Sequence, residues 1–177
     1  MSNPLGMNEI KEAVQRGTRE TGTTKAFENT GKNEMQRRDL HTINENLEGK
    51  TYPGTNVEYV RRRFTVNGER VEGVFPKFDS KFETSLPRAM LSASDDIQFR
   101  YCSKALAKQI ETNPDMGSRY TPRQLDQIRN GEPRISGLTW HHKESTPGRM
   151  QLVNAEVHGI CRHTGGRAIW GGGSDCR

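Results

Sequence analysis

The sequence has few cysteines and no long apolar run, and both features exclude classes of protein. Its three cysteines, Cys102, Cys161 and Cys176, are odd in number and include no Cys-x-x-Cys pair. Neither a disulfide framework nor a four-cysteine zinc site is therefore expected. No apolar run is long enough to span a membrane, and the N-terminus lacks a signal-peptide pattern. If this domain crosses a membrane, something else must carry it.

Apolar residues are scarce as well. They make up 31% of the 177 residues, whereas charged residues make up 28%. Typical domains contain about 45–50% apolar residues, counted with glycine. One domain with a small core and a disordered segment is therefore expected. The net charge of +5 fits a partner rich in phosphates, although many proteins without such a partner share it.

The chain is predicted to divide at about residue 50. Residues 1–50 balance basic against acidic residues and scatter their apolar residues. This composition predicts a flexible leader or linker, with the folded domain in residues 51–177.

The domain is predicted to open with a β-hairpin over residues 56–75. Its two strands are joined by Asn67-Gly68, the preferred dipeptide for a type I′ turn. Three consecutive arginines, Arg61, Arg62 and Arg63, lie in the first strand. Contact with phosphates and a solvated strand edge explain this run equally well, since neighbours on a strand point to opposite faces.

Two helices are predicted next. The first begins at Ser94, a good N-cap, and ends before Asn113-Pro114. The second begins at Thr121-Pro122, with a capping hydroxyl and a proline at the first helical position, and ends at Asn130-Gly131. Both helices are expected to support the histidine-bearing segment that follows.

Four of the five histidines lie in that segment, between Gly137 and Gly166; they are His141, His142, His158 and His163. Imidazole is the commonest transition-metal ligand and the usual general base near neutral pH. A histidine cluster in a chain with no other such cluster is therefore the main candidate site.

The local pattern of residues 137–166 predicts a strand, a loop, a second strand and a helix. The first strand ends in the His141-His142 pair, and Pro147-Gly148 marks the turn. Met150 to Val153 alternates as a return strand would. Asn154 is predicted to cap the helix, which should end at Gly165-Gly166 because glycine adopts the left-handed conformation at little cost.

The segment resembles the ββα-metal (HNH) nucleases. Its likeness is greatest to the branch with a Trp-His-His motif, which is grouped with endonuclease VII-like enzymes and occurs as toxin domains in bacterial polymorphic toxins. The matching residues are Trp140-His141-His142, Met150-Gln151-Leu152-Val153, His158 and His163-Thr164-Gly165-Gly166, together with Thr121-Pro122-Arg123-Gln124-Leu125 and Phe75-Pro76-Lys77-Phe78-Asp79-Ser80 upstream. The resemblance implies an α+β fold with a ββα-metal core over residues 137–166, an upstream hairpin and two supporting helices.

The resemblance also implies one divalent metal ion, with Mg²⁺ as the first choice and Zn²⁺, Mn²⁺ or Ni²⁺ as alternatives. His141, His158 and His163 are the expected ligands, and His142 is the expected general base. Adjacent strand residues cannot face the same way, so the histidine pair should divide these roles. The direction of the division comes from the resemblance, because nuclease colicins with a His-His pair use the second histidine as base.

His163 fits the pattern less well than the other ligands. On an ideal helix it would lie about 140° round from His158, so it reaches the same ion only if the helix ends or tightens first. In the colicin pattern the helical histidines are four residues apart. The alternative is a capping histidine near the helix C-terminus.

Gln151 is the candidate for the residue that braces the base, with Asn154 as the alternative unless it is only an N-cap. Arg149, Arg162 and Arg167 are candidates for phosphate contacts, although each alone is equally well explained as a solvated charge. Cys161 forms a His-x-x-Cys pair with His158, but a structural zinc site there would need a second pair.

These features together predict a metal-dependent endonuclease that hydrolyses DNA with little sequence choice. The resemblance implies a bacterial toxin, exported by a secretion or contact system, acting in the target-cell cytoplasm and neutralised by an acidic immunity protein. Two alternatives remain open. One is an RNase toxin on the same scaffold, and the other is a non-catalytic nucleic-acid-binding module stabilised by zinc.

Overall fold

Residues 37–176 are described by a computed structural model and form two three-stranded sheets with flanking helices. The elements run in chain order β1 (Arg37–Asp39), β2 (Glu58–Val66), β3 (Glu69–Lys77), β4 (Ser80–Ser85), α1 (Asp95–Thr112), α2 (Pro122–Arg129), β5 (Leu138–His142), β6 (Arg149–Asn154), α3 (Ala155–Ile160) and α4 (Gly166–Trp170), with short 3₁₀ turns between some of them. This content confirms the predicted α+β class. Within these residues no helix is both long enough and apolar enough to cross a membrane.

The first sheet has the order β1-β3-β2 and contains the predicted hairpin. β2 and β3 are antiparallel, and their register runs from Glu58 opposite Lys77 to Val66 opposite Glu69. Between them Asn67 and Gly68 have φ angles of 51° and 81°. A type I′ turn needs positive φ at both positions, and these two residue types tolerate it best.

Helices α1 and α2 begin and end where the sequence predicts. The Ser94 side chain accepts a hydrogen bond from the backbone of Ile97 at the start of α1. Thr121 and Gln124 cap the start of α2 reciprocally, each side chain bonding to the other residue's backbone N–H. α1 also contacts the strand that carries the histidine pair, because the indole N–H of Trp140 donates to the Ser103 hydroxyl at 3.2 Å. The predicted supporting role of this helix is therefore confirmed.

The second sheet has the order β4-β6-β5, with all its strands antiparallel. α3 follows β6 directly, so residues 138–160 form the predicted strand, loop, strand and helix. The register sets His141 opposite Gln151 and His142 opposite Met150. Because directly opposed residues share a face, this register fixes the side of the sheet on which each histidine lies.

The second sheet is covered by apolar residues on both faces. One cluster joins it to α1 and α2 and has as buried members Leu86, Cys102, Leu106, Tyr120, Ile128, Ile135, Leu138, Trp140, Met150 and Leu152. The other joins it to the first sheet and has as buried members Val57, Tyr59, Val74, Phe78, Val153 and Cys161. Neighbouring residues on β5 are thus directed into different environments.

The helix after β6 is shorter than the sequence predicts. The sequence predicts a helix up to Gly165-Gly166, but α3 ends at Ile160 and Cys161 has non-helical angles. Gly165 and Gly166 begin α4 instead. A side chain at Gly166 has no room, because its Cβ would lie 2.8 Å from the His142 carbonyl oxygen. Close approach of α4 to the end of β5, rather than a left-handed turn, requires this glycine.

The predicted leader also needs a correction. Residues 37–50 pack on the domain: β1 pairs with β3, and the Thr42 hydroxyl donates to the Val74 carbonyl at 2.7 Å. The domain boundary therefore lies before residue 37 rather than at residue 50. The rest of the predicted leader, residues 1–36, lies outside the described residues.

Candidate metal centre

The alternation of β5 separates the two adjacent histidines, as the sequence predicts. His141 faces α3 and the segment that follows it, where its Nδ1 lies 3.2 Å from Nε2 of His158. His142 faces α1 on the other side of the sheet, where its Nε2 lies 2.6 Å from the side-chain oxygen of Gln98. The pair therefore presents imidazoles to two different environments.

His141, His158 and His163 converge on one point. One ring nitrogen from each of the three lies within 4.8 Å of the others. The three ring centroids are 4.9–5.3 Å apart. The early end of α3 makes this possible, because His163 lies in the irregular segment between α3 and α4 and is not bound by helical spacing. The five-residue separation is therefore compatible with a shared site.

The orientation of His163 is fixed by its own backbone neighbourhood. Its Nδ1 donates to the carbonyl oxygen of Cys161 at 2.7 Å. A carbonyl only accepts, so Nδ1 carries the proton and Nε2 keeps its lone pair. Nε2 is therefore the nitrogen that His163 can offer to a cation.

Phe78 forms an apolar wall beside the three imidazoles. Its ring centroid lies 4.9 Å from that of His141, 5.2 Å from that of His158 and 5.1 Å from that of His163. Burial, with repulsion from His141 and His163, lowers the pKa of His158 to about 3. Burial and His141 likewise lower the pKa of His163 to about 4. Both rings are neutral at physiological pH, which is the form that binds a metal ion.

A carboxylate lies near Nε2 of His141, the remaining histidine of the three. Nε2 of His141 lies 3.8 Å from the Glu144 carboxylate, and that carboxylate lies 3.0 Å from Nε of Arg62. Burial acts to raise the pKa of Glu144, but the interaction with His141 and the charge of Arg62 outweigh it and hold the pKa below its usual range. An ionised carboxylate is thus buried beside His141.

His142 lies in a polar pocket made by α1 and α4. The Gln98 amide donates to the carbonyls of Met90 and Leu91, so its oxygen is directed towards His142. That oxygen also accepts from the Arg167 guanidinium at 3.1 Å. Asp95 lies 3.9 Å from Nε2 of His142. The ring is therefore held by a glutamine, with a carboxylate close enough to stabilise a positive charge on it.

Gln151 is not placed where the sequence predicts. It lies opposite His141 in the register, on the face of the sheet away from His142. Its amide donates to Glu83 at 2.6 Å. Strand alternation therefore keeps Gln151 from bracing His142, and Gln98 occupies that position. Asn154 is an N-cap, accepting from the Val157 backbone at 2.9 Å.

The three candidate arginines have different surroundings. Arg162 is exposed and Arg149 is partly buried, 3.9 Å from Glu83. Arg167 is only 4% exposed, and its guanidinium is engaged by Asp95, Gln98 and two backbone carbonyls. Arg167 is therefore a buried charge paired inside the pocket of His142 and not a solvated one, and its contact with a phosphate stays a prediction.

The four histidines line a single cleft of about 510 Å³. Phe99 and Thr139 also line it, as do Thr164 and the exposed Ile43. The cleft thus joins the three-histidine group to the pocket of His142, and a bound molecule can contact both.

Sequence reasoning missed several residues of the site. Gln98 and Glu144 are buried polar residues with no motif of their own, although Gln98 lies four residues before Cys102 on the inner face of α1. Glu144 follows His141 by three residues, and that spacing was an available signal. In the sequence Arg62 is only one member of a basic run, because its partner Glu144 is distant along the chain.

The comparison with protein families finds a match over the central and C-terminal parts of the chain. The model for the DNase/tRNase domain of colicin-like bacteriocin matches residues 67–165. The matched range includes β3 to α3 and all four clustered histidines. No match was found among curated proteins or among solved structures.

Proposed function

This chain belongs to the family of DNase/tRNase domains of colicin-like bacteriocins, whose model matches more than half of it, and we propose that it is a metal-dependent endonuclease that hydrolyses DNA. The observation that carries the proposal is the convergence of His141, His158 and His163 within 4.8 Å in a cleft that His142 also lines. A strand-borne histidine pair followed by a helix-borne histidine supports membership of the Trp-His-His branch of the HNH nucleases.

The proposed cofactor is one divalent ion bound by His141, His158 and His163. Three imidazoles without a carboxylate are a donor set that suits Zn²⁺ or Ni²⁺, whereas Mg²⁺ prefers oxygen ligands. We therefore place Zn²⁺ or Ni²⁺, with Mn²⁺ as a further candidate, before the Mg²⁺ that the resemblance implies. Catalytic zinc sites keep three protein ligands and an open position, and this group has three.

The proposed catalytic roles follow from the two faces of β5, one of which carries a metal ligand and the other the general base. A divalent ion at the three histidines would neutralise charge on the scissile phosphate and the leaving oxygen. His142 would take the proton from the attacking water. Asp95 would stabilise the protonated ring, since its carboxylate lies 3.9 Å from Nε2. Gln98 would keep the ring in place between them. Arg149 and Arg162 are the proposed phosphate contacts.

The biological setting is proposed from the family and the resemblance. A bacteriocin-like nuclease acts in a target cell, so the domain would be exported with a delivery protein and reach the target-cell cytoplasm. Its producer would need an immunity protein, and an acidic one would complement the basic chain. An RNase on the same scaffold is the second candidate, because the family includes tRNases as well as DNases.

The test is cleavage of supercoiled plasmid and of tRNA with Zn²⁺, Ni²⁺, Mn²⁺ or Mg²⁺ and with EDTA. We expect plasmid nicking that EDTA abolishes, and a matched His41→Ala variant, changed at a histidine outside the cluster, should behave as wild type. Cleavage of tRNA alone would favour the RNase. Absence of cleavage of either substrate, with zinc bound at the histidines, would favour a non-catalytic zinc-stabilised module.

A further inference from the structure

An ion pair between two sheets adjoins the proposed metal centre. Arg62 is in the middle of β2, and Glu144 is in the loop after β5. Their side chains meet at 3.0 Å, with the Glu144 side chain only 2% exposed. The second oxygen of Glu144 lies 3.8 Å from Nε2 of His141. The contacts thus form a row that runs from Arg62 to the Glu144 carboxylate and on to Nε2 of His141.

Stability alone is a poor explanation for this row. Burial of a carboxylate costs free energy that one ion pair recovers only with good geometry, and such a pair is often replaceable by apolar residues. Here Nε2 of His141, one oxygen of Glu144 and Nε of Arg62 are buried without a hydrogen bond of normal geometry. Burial of these charged groups costs free energy, and their hydrogen bonds are incomplete. We therefore look for their role at His141, which they adjoin.

We propose that Arg62 and Glu144 are positioning residues for the metal centre: Glu144 holds His141 in the tautomer protonated at Nε2, and Arg62 fixes Glu144. The negative charge of Glu144, 3.8 Å away, favours a proton on Nε2, so Nδ1 keeps its lone pair. Nδ1 is the nitrogen that lies 3.2 Å from His158, on the side of the three-histidine group. Ligating histidines commonly donate their other N–H to a carboxylate, and loss of that partner weakens metal binding about 10–100-fold. The inference rests on the proposed function, since it assigns the metal site to these histidines.

Arg63 provides a matched control on the same strand. It is the next residue to Arg62 and points to the opposite face, where its Nε lies 2.8 Å from Glu72. Its side chain is 71% exposed. Removing its charge therefore alters the same strand without touching the row of contacts at His141.

The first measurement is the affinity of the purified, metal-free chain for Zn²⁺. Glu144→Gln and Arg62→Met should each bind about 10–100-fold more weakly than wild type, and Arg63→Met should bind as wild type does. If Arg62 acts only through Glu144, the double variant should bind no more weakly than Glu144→Gln alone. Wild-type affinity in Glu144→Gln, or equal losses in Arg62→Met and Arg63→Met, would overturn the proposal.

The second measurement does not depend on metal binding. The ¹⁵N shifts of the His141 ring in the metal-free chain should report a proton on Nε2 in wild type and a mixture of tautomers in Glu144→Gln. Thermal unfolding should show that each variant is folded. A wild-type ring protonated at Nδ1 would overturn the inference even if metal binds. A wild-type chain that binds no metal but shows the Nε2 tautomer would instead remove the proposed function.

Discussion

At the scale of the residue, a single step along β5 separates two kinds of chemistry. His141 joins an apolar group bounded by Phe78, in which three imidazoles converge. His142 joins a polar pocket that contains Gln98 and the ion pair of Asp95 with Arg167. A ligand needs a neutral ring, whereas a base must accept a proton and hold it. The apolar group around His141 therefore suits a metal ligand, and the polar pocket around His142 suits a general base.

The proposed roles predict different responses to added metal. His142→Ala should lower cleavage by about 10²–10⁴-fold, because it removes a general base, with little change in metal affinity. His158→Ala should lower metal affinity and cleavage together, and a higher metal concentration should restore part of the activity. The measurement is nicking rate against metal concentration for both variants. Rescue of His142→Ala instead would show that the roles of base and ligand are reversed.

At the scale of the element, a short N-terminal segment holds the loop that carries His163. The side chain of Asn44 and the hydroxyl of Tyr59 each donate to the carbonyl of Arg162 at 2.7 Å. The backbone N–H of Ile43 donates to the Thr164 hydroxyl at 3.1 Å. The loop between α3 and α4 has no regular structure of its own, so these distant contacts fix the position of the third proposed ligand.

Chains truncated before and after this segment should therefore differ in metal affinity and in thermal stability. A chain beginning at Arg37 should fold and bind metal as the full chain does, because residues 1–36 show no core pattern in the sequence. A chain beginning at Thr51 should bind metal more weakly and unfold at a lower temperature, since it lacks β1 and the contacts of Ile43 and Asn44. Zinc titration and thermal unfolding provide the measurement. Equal affinity in both chains would show that the loop holds His163 without help.

At the scale of the whole molecule, burial of the histidines links the fold to pH. The pKa of His158 is lowered to about 3 and that of His163 to about 4, mainly by burial. In the unfolded chain a histidine titrates near 6.5. Protons therefore bind the unfolded state more readily, and the metal-free fold has its full stability only above about pH 6.5.

The metal-free domain should lose stability progressively as pH falls from about 6.5 towards 3. Thermal unfolding in EDTA at pH 5 and pH 7.5 measures this loss. A His158→Asn variant should show a smaller difference between the two pH values, because one depressed titration is removed. His41→Asn is the matched control, since His41 is exposed and should leave the difference unchanged. An equal difference in all three chains would contradict burial of His158 as the cause.

Local residue patterns identified the hairpin, the two helices, the strands and helix of the histidine segment and the histidine cluster, but they did not identify β1, β4 or α4. Turn and capping residues act locally, so Asn67-Gly68, Ser94 and Thr121 located the hairpin and the two helices correctly. Alternation on a strand is also local, and it correctly separated His141 from His142. Local signals failed at Gly165-Gly166, because glycine serves both a helix end and a close approach, and only the packing of α4 on β5 distinguishes them.

The residues that surround each histidine depend on how the helices and sheets pack together. Gln98 took the place expected for Gln151 because α1 packs on the face of β5 that carries His142, and the order of packed elements is not encoded in spacing. Arg62 and Asn44 reach the site across 82 and 118 residues of chain, to Glu144 and Arg162 respectively. Such contacts between distant parts of the chain depend on tertiary packing. The sequence alone does not show that Glu144 is a buried charge, because its partner Arg62 is known only from the structure.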